Sequence, residues 1–355
     1  MIVWFKKSMG KIGWVTYESF VGGKRKLEQY GYKGVVSEVR CKNIALWLNK
    51  NSEYKNEVYD PKKKYDIVIF VKMMDEKCQV EARKIKKYGS MTIFDANVNY
   101  FEVWGDYFVP GTKPTYEQNR DAIAMASICD VVIADSSYIA SVVRKYNNNV
   151  VMIPDAVDMN FYKGRINYVV DNSVNLVWSG VAKKSAHLEI VVDVLKKLSE
   201  KYRLKLILVS DERPEIMGVF QKFMECEWVE FSHQNYLREL KKSNIIISPK
   251  KLSNAYEMGH TEYKITLGMA LGLPAVASPQ GSYKEAIGFL GGGIIASTED
   301  DWVDALEKLI TNDSLMKRMG GKARDTVVKK YSVEVISKRY RKLFGDLLVK
   351  NANVN

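Results

Sequence analysis

Two segments in the second half of the chain place lysine near the start of a predicted helix, which suits phosphate binding. In the first, Gly180 is followed by Lys183 and Lys184, after a predicted strand and at the start of a predicted helix. In the second, Lys264 lies near the start of another predicted helix. Glycine lets the backbone approach a ligand, and both lysine and the free N–H groups of a helix start favour an anion. We therefore predict that Gly180, one of the two adjacent lysines and Lys264 bind phosphate groups, with a solvated lysine as the alternative in each case.

These segments lie within a repeating pattern of short apolar strands and amphipathic helices. Strands are predicted at, for example, Tyr65–Val71 and Val174–Ser179, and helices at Glu76–Tyr88 and Ser185–Lys201. Strands and helices that alternate at this spacing indicate parallel sheets built from right-handed βαβ units. Such sheets bind their ligands outside the carboxyl ends of the strands, which is where the phosphate-binding segments are expected.

The alternation of strands and helices stops once, in a polar stretch with turn residues near the middle of the chain. We predict an N-terminal Rossmann-like domain over residues 1–160, a linker over 161–172, a C-terminal Rossmann-like domain over 173–332, and a last helix over 333–355 that packs back on the first domain. The predicted fold class is therefore α/β, with two doubly wound domains that face each other across a cleft.

Composition and charge exclude several classes of protein. The 355 residues are 46% apolar and 27% charged, which is typical of a folded protein and not of a disordered chain. The longest apolar runs, such as Ile67–Val71, are far shorter than the roughly 20 residues of a membrane span, and the N-terminus lacks a signal-peptide pattern. The four cysteines are scattered, so we expect no disulfide and no structural zinc. The net charge of +12 reflects either solubility alone or an anionic partner: a nucleotide diphosphate, an anionic membrane or nucleic acid.

The segment from Lys264 to Ile287 carries a motif. It reads KITLGMALGLPAVASPQGSYKEAI, a helix that ends at Gly272, a buried strand from Pro274 and a turn at Gly281. This segment resembles the C-terminal domain of GT-B glycosyltransferases, nearest the family-4 type, whose pattern is K-x-x-E-x-M-A-x-G-x-P-V-V-A-S…E. The resemblance extends over residues 130–332. It implies a nucleotide-sugar donor whose phosphates are bound by the glycine and lysines described above.

The chain departs from that family at the residues that hold the ribose of the donor. Family members carry a glutamate three residues after the lysine and another glutamate eight residues before the first, and these positions are Leu267 and Gly259 here. Either Glu257 or Glu262 holds the ribose instead, or the backbone and other side chains hold it, or the site is degenerate. A second interpretation of Glu262 is a carboxylate that interacts with the dipole at the start of a helix.

Two further residues complete the predicted donor site. Asn235 lies in a loop after a strand, where the family contacts the nucleotide base, although helix capping accounts for this residue equally well. His260 lies on a polar loop before the Lys264 helix and is expected to face the donor sugar.

Acceptor binding is predicted in the first domain. Gly22, Gly23, Lys24 and Arg25 follow an early strand, where GT-B enzymes often carry a glycine-rich loop near donor and acceptor. The basic residues suit an anionic acceptor, and a solvated run of charges is the alternative.

Two carboxylates are the candidate catalytic residues. Asp95 follows another strand of the first domain and is the candidate for activating the acceptor hydroxyl. Glu257 is the second candidate, and it lies on the polar loop before the Lys264 helix.

The resemblance implies an enzyme that moves a sugar from a UDP- or GDP-type donor to a hydroxyl acceptor, with retention of the anomeric configuration and without a metal ion or cofactor. A lipid-linked or other membrane-proximal saccharide is the favoured acceptor, and DNA with a modified base is the second. The alternatives are a nucleotide-sugar-binding protein without transferase activity and a GT-B-fold sugar-nucleotide epimerase. We expect the protein in the cytoplasm, in solution or peripherally at the inner membrane face.

Overall fold

The computed structural model describes residues 10–17, 35–164 and 173–352 of the chain. The chain divides into two compact units. The first consists of Met1–Glu102, Thr115–Ala156 and Val333–Asn355, and the second of Val103–Pro114 and Val157–Ser332. The segment Val103–Pro114 thus belongs to the second unit, although it falls within the residues predicted for the first domain. Among the described residues, no helix is long and apolar enough to cross a membrane.

The first unit contains a six-stranded parallel sheet with the strand order β2-β1-β3-β4-β5-β6. All five residues of its central strand β3 are buried, as expected for a parallel strand that is covered on both faces. Its strands are β1 (Lys11–Val15), β2 (Lys55–Val58), β3 (Ile67–Val71), β4 (Met91–Ala96), β5 (Val131–Ala134) and β6 (Val150–Met152).

Helices cover this sheet, and several begin at polar residues that bind free backbone N–H groups. Thr115, for example, forms a capping box with Gln118. A π-helical turn at Glu38–Lys42 leads into the second helix. The helices are α1 (Val35–Ser37), α2 (Asn43–Asn51), α3 (Glu76–Lys87), α4 (Tyr116–Ile128), α5 (Ser137–Val143) and the C-terminal helix α14 (Val333–Ala352).

The second unit contains another six-stranded parallel sheet, with the order β12-β11-β10-β7-β8-β9. The order reverses between β7 and β10, so the carboxyl ends of these two strands lie at the topological switch point, where such sheets bind ligands. Its strands are β7 (Val174–Ser179), β8 (Leu204–Ser210), β9 (Glu225–Glu230), β10 (Ile245–Ser248), β11 (Ala275–Ala277) and β12 (Gly293–Ile295).

The helices of the second unit follow the strands as βαβ units require. A 3₁₀-helix at Ala182–Val191 comes after β7, and a π-helical turn at Val327–Tyr331 ends the unit. The α-helices are α6 (Val192–Ser199), α7 (Met217–Phe220), α8 (His233–Lys242), α9 (Ala255–Met258), α10 (Tyr263–Leu271), α11 (Gly281–Leu290), α12 (Glu299–Ile310) and α13 (Asp313–Thr326).

The predicted α/β class with two Rossmann-like units is confirmed. The strands could be predicted because several of them are apolar runs: β3, β5 and β10 consist mostly of Val and Ile. The sequence does not predict β2, whose residues Lys-Asn-Glu-Val have the polar composition of an edge strand.

Candidate functional site

The site in the second unit is built around the buried carboxylate of Glu257, which belongs to α9. Glu257 is 0% exposed. Its Oε2 lies 3.3 Å from Nζ of Lys250, which follows β10, and its Oε1 lies 4.0 Å from Nζ of Lys184, in the 3₁₀-helix after β7. Both lysines are themselves buried, with 7% and 9% of their surface exposed. The carboxylate thus joins the segments that follow the two strands at the topological switch point.

Two histidines complete the surroundings of these groups. His187 accepts a hydrogen bond at Nδ1 from the backbone N–H of Lys251 (3.0 Å), so its Nε2–H faces Glu257 Oε2 at 3.5 Å. His260 Nε2 lies 2.7 Å from Nζ of Lys184, which donates to it. The loop that carries His260 is held by Gln280 and Ser282, whose side chains donate to the His260 carbonyl.

A third lysine near Lys184 and Lys250 is Lys264, which comes from the first turn of α10. Its Nζ lies 5.6 Å from the centroid of the Trp178 ring. A Cβ atom on Gly180 would lie 2.8 Å from this Nζ and 2.9 Å from the Trp178 ring, so the position favours glycine. We refer to Lys184, His187, Lys250, Glu257, His260 and Lys264 as the basic cluster.

The electrostatics of the basic cluster are those of crowded cations around one carboxylate. Burial alone would raise the pKa of Glu257, but its contacts with His187, Lys250 and Lys184 outweigh burial and lower the pKa to about 2. Burial lowers the pKa of Lys250 well below its usual value, against the attraction of Glu257. Burial and repulsion from Lys184 lower the pKa of Lys264 to about 7. An anion would relieve this repulsion, so the cluster has the chemistry of an anion site.

Both histidines are held in the neutral form. Burial lowers the pKa of His260 well below its usual value, and repulsion from Lys250 and Lys184 adds to that effect. Burial also lowers the pKa of His187, although Glu257 opposes the shift.

A pocket of about 200 Å³ adjoins Gly180 and Lys264. Most of its wall is apolar or aromatic, and Leu267 contributes to it. The lining residues are Ser179, Gly180, Val181, Asp211, Phe231, Tyr236, Tyr263, Lys264 and Leu267.

Five of the residues predicted for the donor site come together here: Gly180, Lys184, Glu257, His260 and Lys264. Sequence reasoning missed Lys250 and His187. Lys250 could have been found, because it lies two residues beyond the end of a buried strand, where side chains of a parallel sheet reach a ligand.

The other predicted donor residues lie in different surroundings. Lys183 is exposed and lines a separate cavity of about 710 Å³, together with Phe108 and Arg213. Asn235 lies in the first turn of α8, where its backbone N–H donates to the side chain of the N-cap residue Ser232. Its Nδ2 donates to the Glu230 carbonyl (3.0 Å).

Glu262 is the N-cap residue of α10 and is buried, with 3% of its surface exposed. Among the described residues, no group of three or more His, Cys, Asp or Glu side chains could hold a metal ion.

Asp95, which the sequence predicts to activate the acceptor, is paired with other residues of the first unit. Asp95 lies at the end of β4 in the first unit and is 0% exposed. Both carboxylate oxygens accept from Arg40, at 2.8 and 3.1 Å, and Tyr340 of α14 donates to Oδ2 at 3.0 Å. A general base must contact the acceptor hydroxyl, and a fully buried, doubly paired carboxylate does not. This pairing favours a structural role for Asp95, and its catalytic role stays a prediction.

The predicted acceptor-side residues Gly22, Gly23, Lys24 and Arg25 lie outside the described residues.

Comparisons with known proteins agree with this architecture. Residues 173–312 match the family described as glycosyl transferases group 1. No curated protein sequence matches the chain. The crystal structure of Anabaena Alr3699/HepE in complex with UDP superimposes with a TM-score of 0.66 and 12% identity, covering 95% of this chain and 100% of that one. A glycosyltransferase from Rickettsia africae ESF-5 superimposes with a TM-score of 0.64 and 14% identity, covering 96% of this chain and 98% of that one. Sucrose-phosphate synthase from Thermosynechococcus elongatus superimposes with a TM-score of 0.62 and 13% identity, covering 90% of this chain and 81% of that one.

At these identities the structural likeness establishes the fold, and the family match lies within the second unit. The chain has the fold of GT-B glycosyltransferases, and its residues 173–312 match the family of glycosyl transferases group 1.

Proposed function

We propose that the basic cluster binds the diphosphate of a nucleotide-sugar donor, from which the enzyme transfers the sugar to a hydroxyl acceptor. The observation that carries this proposal is that Lys184 and Lys250 meet at the buried carboxylate of Glu257, after β7 and β10, with Lys264 near enough for its charge to be repelled by Lys184. One carboxylate does not balance three lysines, and a diphosphate supplies the missing negative charge. The backbone N–H groups at the start of α10 add to the attraction.

The cluster has a direct role in the proposed reaction. The bond between the anomeric carbon and the β-phosphate oxygen breaks, a bond to the acceptor oxygen forms, and the acceptor proton passes to the departing diphosphate. Negative charge then develops on the departing nucleoside diphosphate, which Lys184, Lys250 and Lys264 stabilise. Retention of configuration and metal independence belong to the proposal, and the resemblance to family-4 enzymes supports both.

Glu257 acts in this proposal as a positioning residue and not as the base. Its carboxylate is 0% exposed and faces Lys184, His187 and Lys250. It holds the two lysines at the ends of their strands, and His260 accepts from Lys184 on the other side. The sugar-facing role of His260 remains part of the proposal.

The nucleoside of the donor fits the pocket of about 200 Å³ beside Lys264. Aromatic side chains such as Phe231 and Tyr263 line this pocket and suit a planar base. HepE has been solved with UDP and with UDP-glucose, and this favours a UDP-type donor here.

The acceptor is proposed to be a saccharide at an anionic membrane surface. The exposed side of α3 carries Lys77, Arg83 and Lys87, and the turn before β3 adds exposed Lys62 and Lys64. Such clustered basic residues attract anionic lipids. Binding to anionic vesicles and to duplex DNA, measured at several salt concentrations, separates this acceptor from the modified-base DNA alternative.

A thermal-shift experiment with a panel of nucleotide sugars tests the donor site. Wild-type protein is expected to gain about 2.7 kcal/mol of stability at a donor concentration of about 100 times Kd. Lys264→Met should lose most of this gain, because the substitution removes a phosphate-binding charge while the length of the side chain is kept. Lys183→Met is the matched control, since Lys183 is exposed in the separate cavity.

An unchanged shift in Lys264→Met, or an equal loss in Lys183→Met, would contradict the proposed site. Release of the nucleoside diphosphate in the presence of acceptor separates a transferase from a protein that only binds the donor.

A further inference from the structure

The small pocket beside the basic cluster contains a carboxylate that phosphate binding does not use. Asp211 directly follows β8, which pairs in parallel with β7, and Ser179 of β7 aligns with Val209 of β8. The backbone N–H of Gly180 donates to the Val209 carbonyl at 3.1 Å. Gly180 and Asp211 therefore lie at the ends of neighbouring strands on the same edge of the sheet, and both line the pocket.

The Asp211 carboxylate is held on one side and available on the other. Its Oδ1 accepts from the backbone N–H of Ala182 at 2.7 Å, which fixes the carboxylate against the loop that follows β7. In the part of the chain that the structure describes, its Oδ2 makes no hydrogen bond, and the residue is exposed. A charged oxygen oriented in this way is ready to accept a hydrogen bond from a ligand.

The rest of the pocket wall is mostly apolar, so Asp211 is the group best suited to accept a hydrogen bond from a ligand hydroxyl. Of the described residues that line it, Asp211 alone carries a carboxylate. Leu267, Phe231 and Tyr263 present carbon surface, and Lys264 is directed at Gly180. The pocket thus has an apolar wall and one carboxylate near Lys264. A ligand with a planar apolar ring and a hydroxylated ring next to its phosphates is complementary to this arrangement.

We propose that Asp211 accepts a hydrogen bond from a ribose hydroxyl of the donor and thereby selects ribonucleotides over deoxyribonucleotides. This inference rests on the proposed donor site. In Rossmann-type sheets, an acidic residue beyond the glycine-rich turn commonly binds the ribose. A ligand that lacks this hydroxyl loses a charge-assisted hydrogen bond to the carboxylate and therefore binds more weakly.

Binding of UDP, 2′-deoxy-UDP and 3′-deoxy-UDP, measured by isothermal titration calorimetry, tests the inference. Wild-type protein should bind UDP at least about tenfold more tightly than one of the two deoxy analogues. Asp211→Asn should lose this preference, with UDP weakened and that analogue nearly unchanged. Asparagine keeps an oxygen for the Ala182 N–H, so the loop after β7 is preserved. Glu212→Gln is the matched control, because Glu212 is the neighbouring exposed carboxylate and lines the separate cavity.

The outcomes separate this inference from the donor site on which it depends. If UDP binds, Lys264→Met weakens it, and Asp211→Asn keeps the wild-type preference, the role of Asp211 is refuted while the donor site stands. If Asp211→Asn weakens the binding of UDP and of both deoxy analogues equally, the proposed contact with a ribose hydroxyl is also refuted. Asp211 would then act only by holding the loop after β7. If none of the three nucleotides binds to wild-type protein, and GDP with its deoxy analogues also fails, both proposals are wrong.

Discussion

At the scale of single residues, the site depends on like charges being held closer together than they would be in water. Lys250 and Lys264 have lowered pKa values because burial and neighbouring cations disfavour their charged forms. Glu257 offsets part of this cost, and its own pKa is lowered to about 2. Perturbed residues of this kind cluster at functional sites, where a ligand completes the balance of charge.

The affinity for UDP should fall as the pH rises above about 7. Lys264, whose pKa is about 7 in the free protein, is charged below this pH and loses its proton above it. The bound diphosphate favours the charged form and raises the pKa, so binding above pH 7 takes up a proton, and the affinity falls by up to about tenfold per pH unit. Calorimetry in two buffers of different ionisation enthalpy measures the uptake. Lys264→Met should reduce the proton uptake, and an unchanged uptake in that variant would assign the proton to another group such as Lys250.

Asp95→Asn should destabilise the protein rather than remove a catalytic group. The substitution takes away the charge that balances Arg40, which is 2% exposed, so the free energy of unfolding should fall by about 3–5 kcal/mol. Asp155→Asn is the matched control, since Asp155 contacts Arg40 at a longer 3.3 Å and is partly exposed. Denaturant unfolding measures both variants. A stable Asp95→Asn protein that still binds UDP but transfers no sugar would restore the catalytic interpretation.

At the scale of elements, the site depends on how closely α10 packs on the second sheet. Gly268 of α10 contacts Ile246 of β10, and a Cβ atom there would lie 2.8 Å from the end of the isoleucine side chain. Gly272 ends the helix at a φ of 92°, a conformation that favours glycine. The sequence predicts this helix and its end, because small residues and a glycine before a proline are local signals. The contacts of Lys264 at its start depend on residues far away in the chain, which local signals do not encode.

Gly268→Ala should destabilise the second unit by about 1–3 kcal/mol, because the added methyl group must displace Ile246 or the helix. Gly288→Ala, inside α11, is the matched control. A Cβ atom there has no neighbour within 4 Å, so the substitution should stabilise by about 0.5–1 kcal/mol. Thermal unfolding of both variants measures the difference. Equal effects in the two positions would mean that the packing of α10 on β10 is not tight.

At the scale of the whole chain, the sequence predicts two parallel sheets but not every segment that belongs to each unit. Buried strands such as β3 and β10 are continuous apolar runs and stand out. The segment Val103–Pro114 does not stand out, and it joins the second unit through contacts such as the hydrogen bond from the Asp106 N–H to the Ser253 carbonyl (3.0 Å). The meeting of Lys184, Lys250 and Glu257 likewise follows from strand order, which sequence periodicity does not supply.

A crystal structure of the protein with UDP would show whether the basic cluster holds the diphosphate of the donor. We expect phosphate oxygens within hydrogen-bond distance of Lys264 Nζ and of at least one of Lys184 and Lys250, with the nucleoside in the pocket beside Leu267. A UDP molecule bound instead in the cavity of Lys183 and Arg213, with the basic cluster free of phosphate, would contradict it.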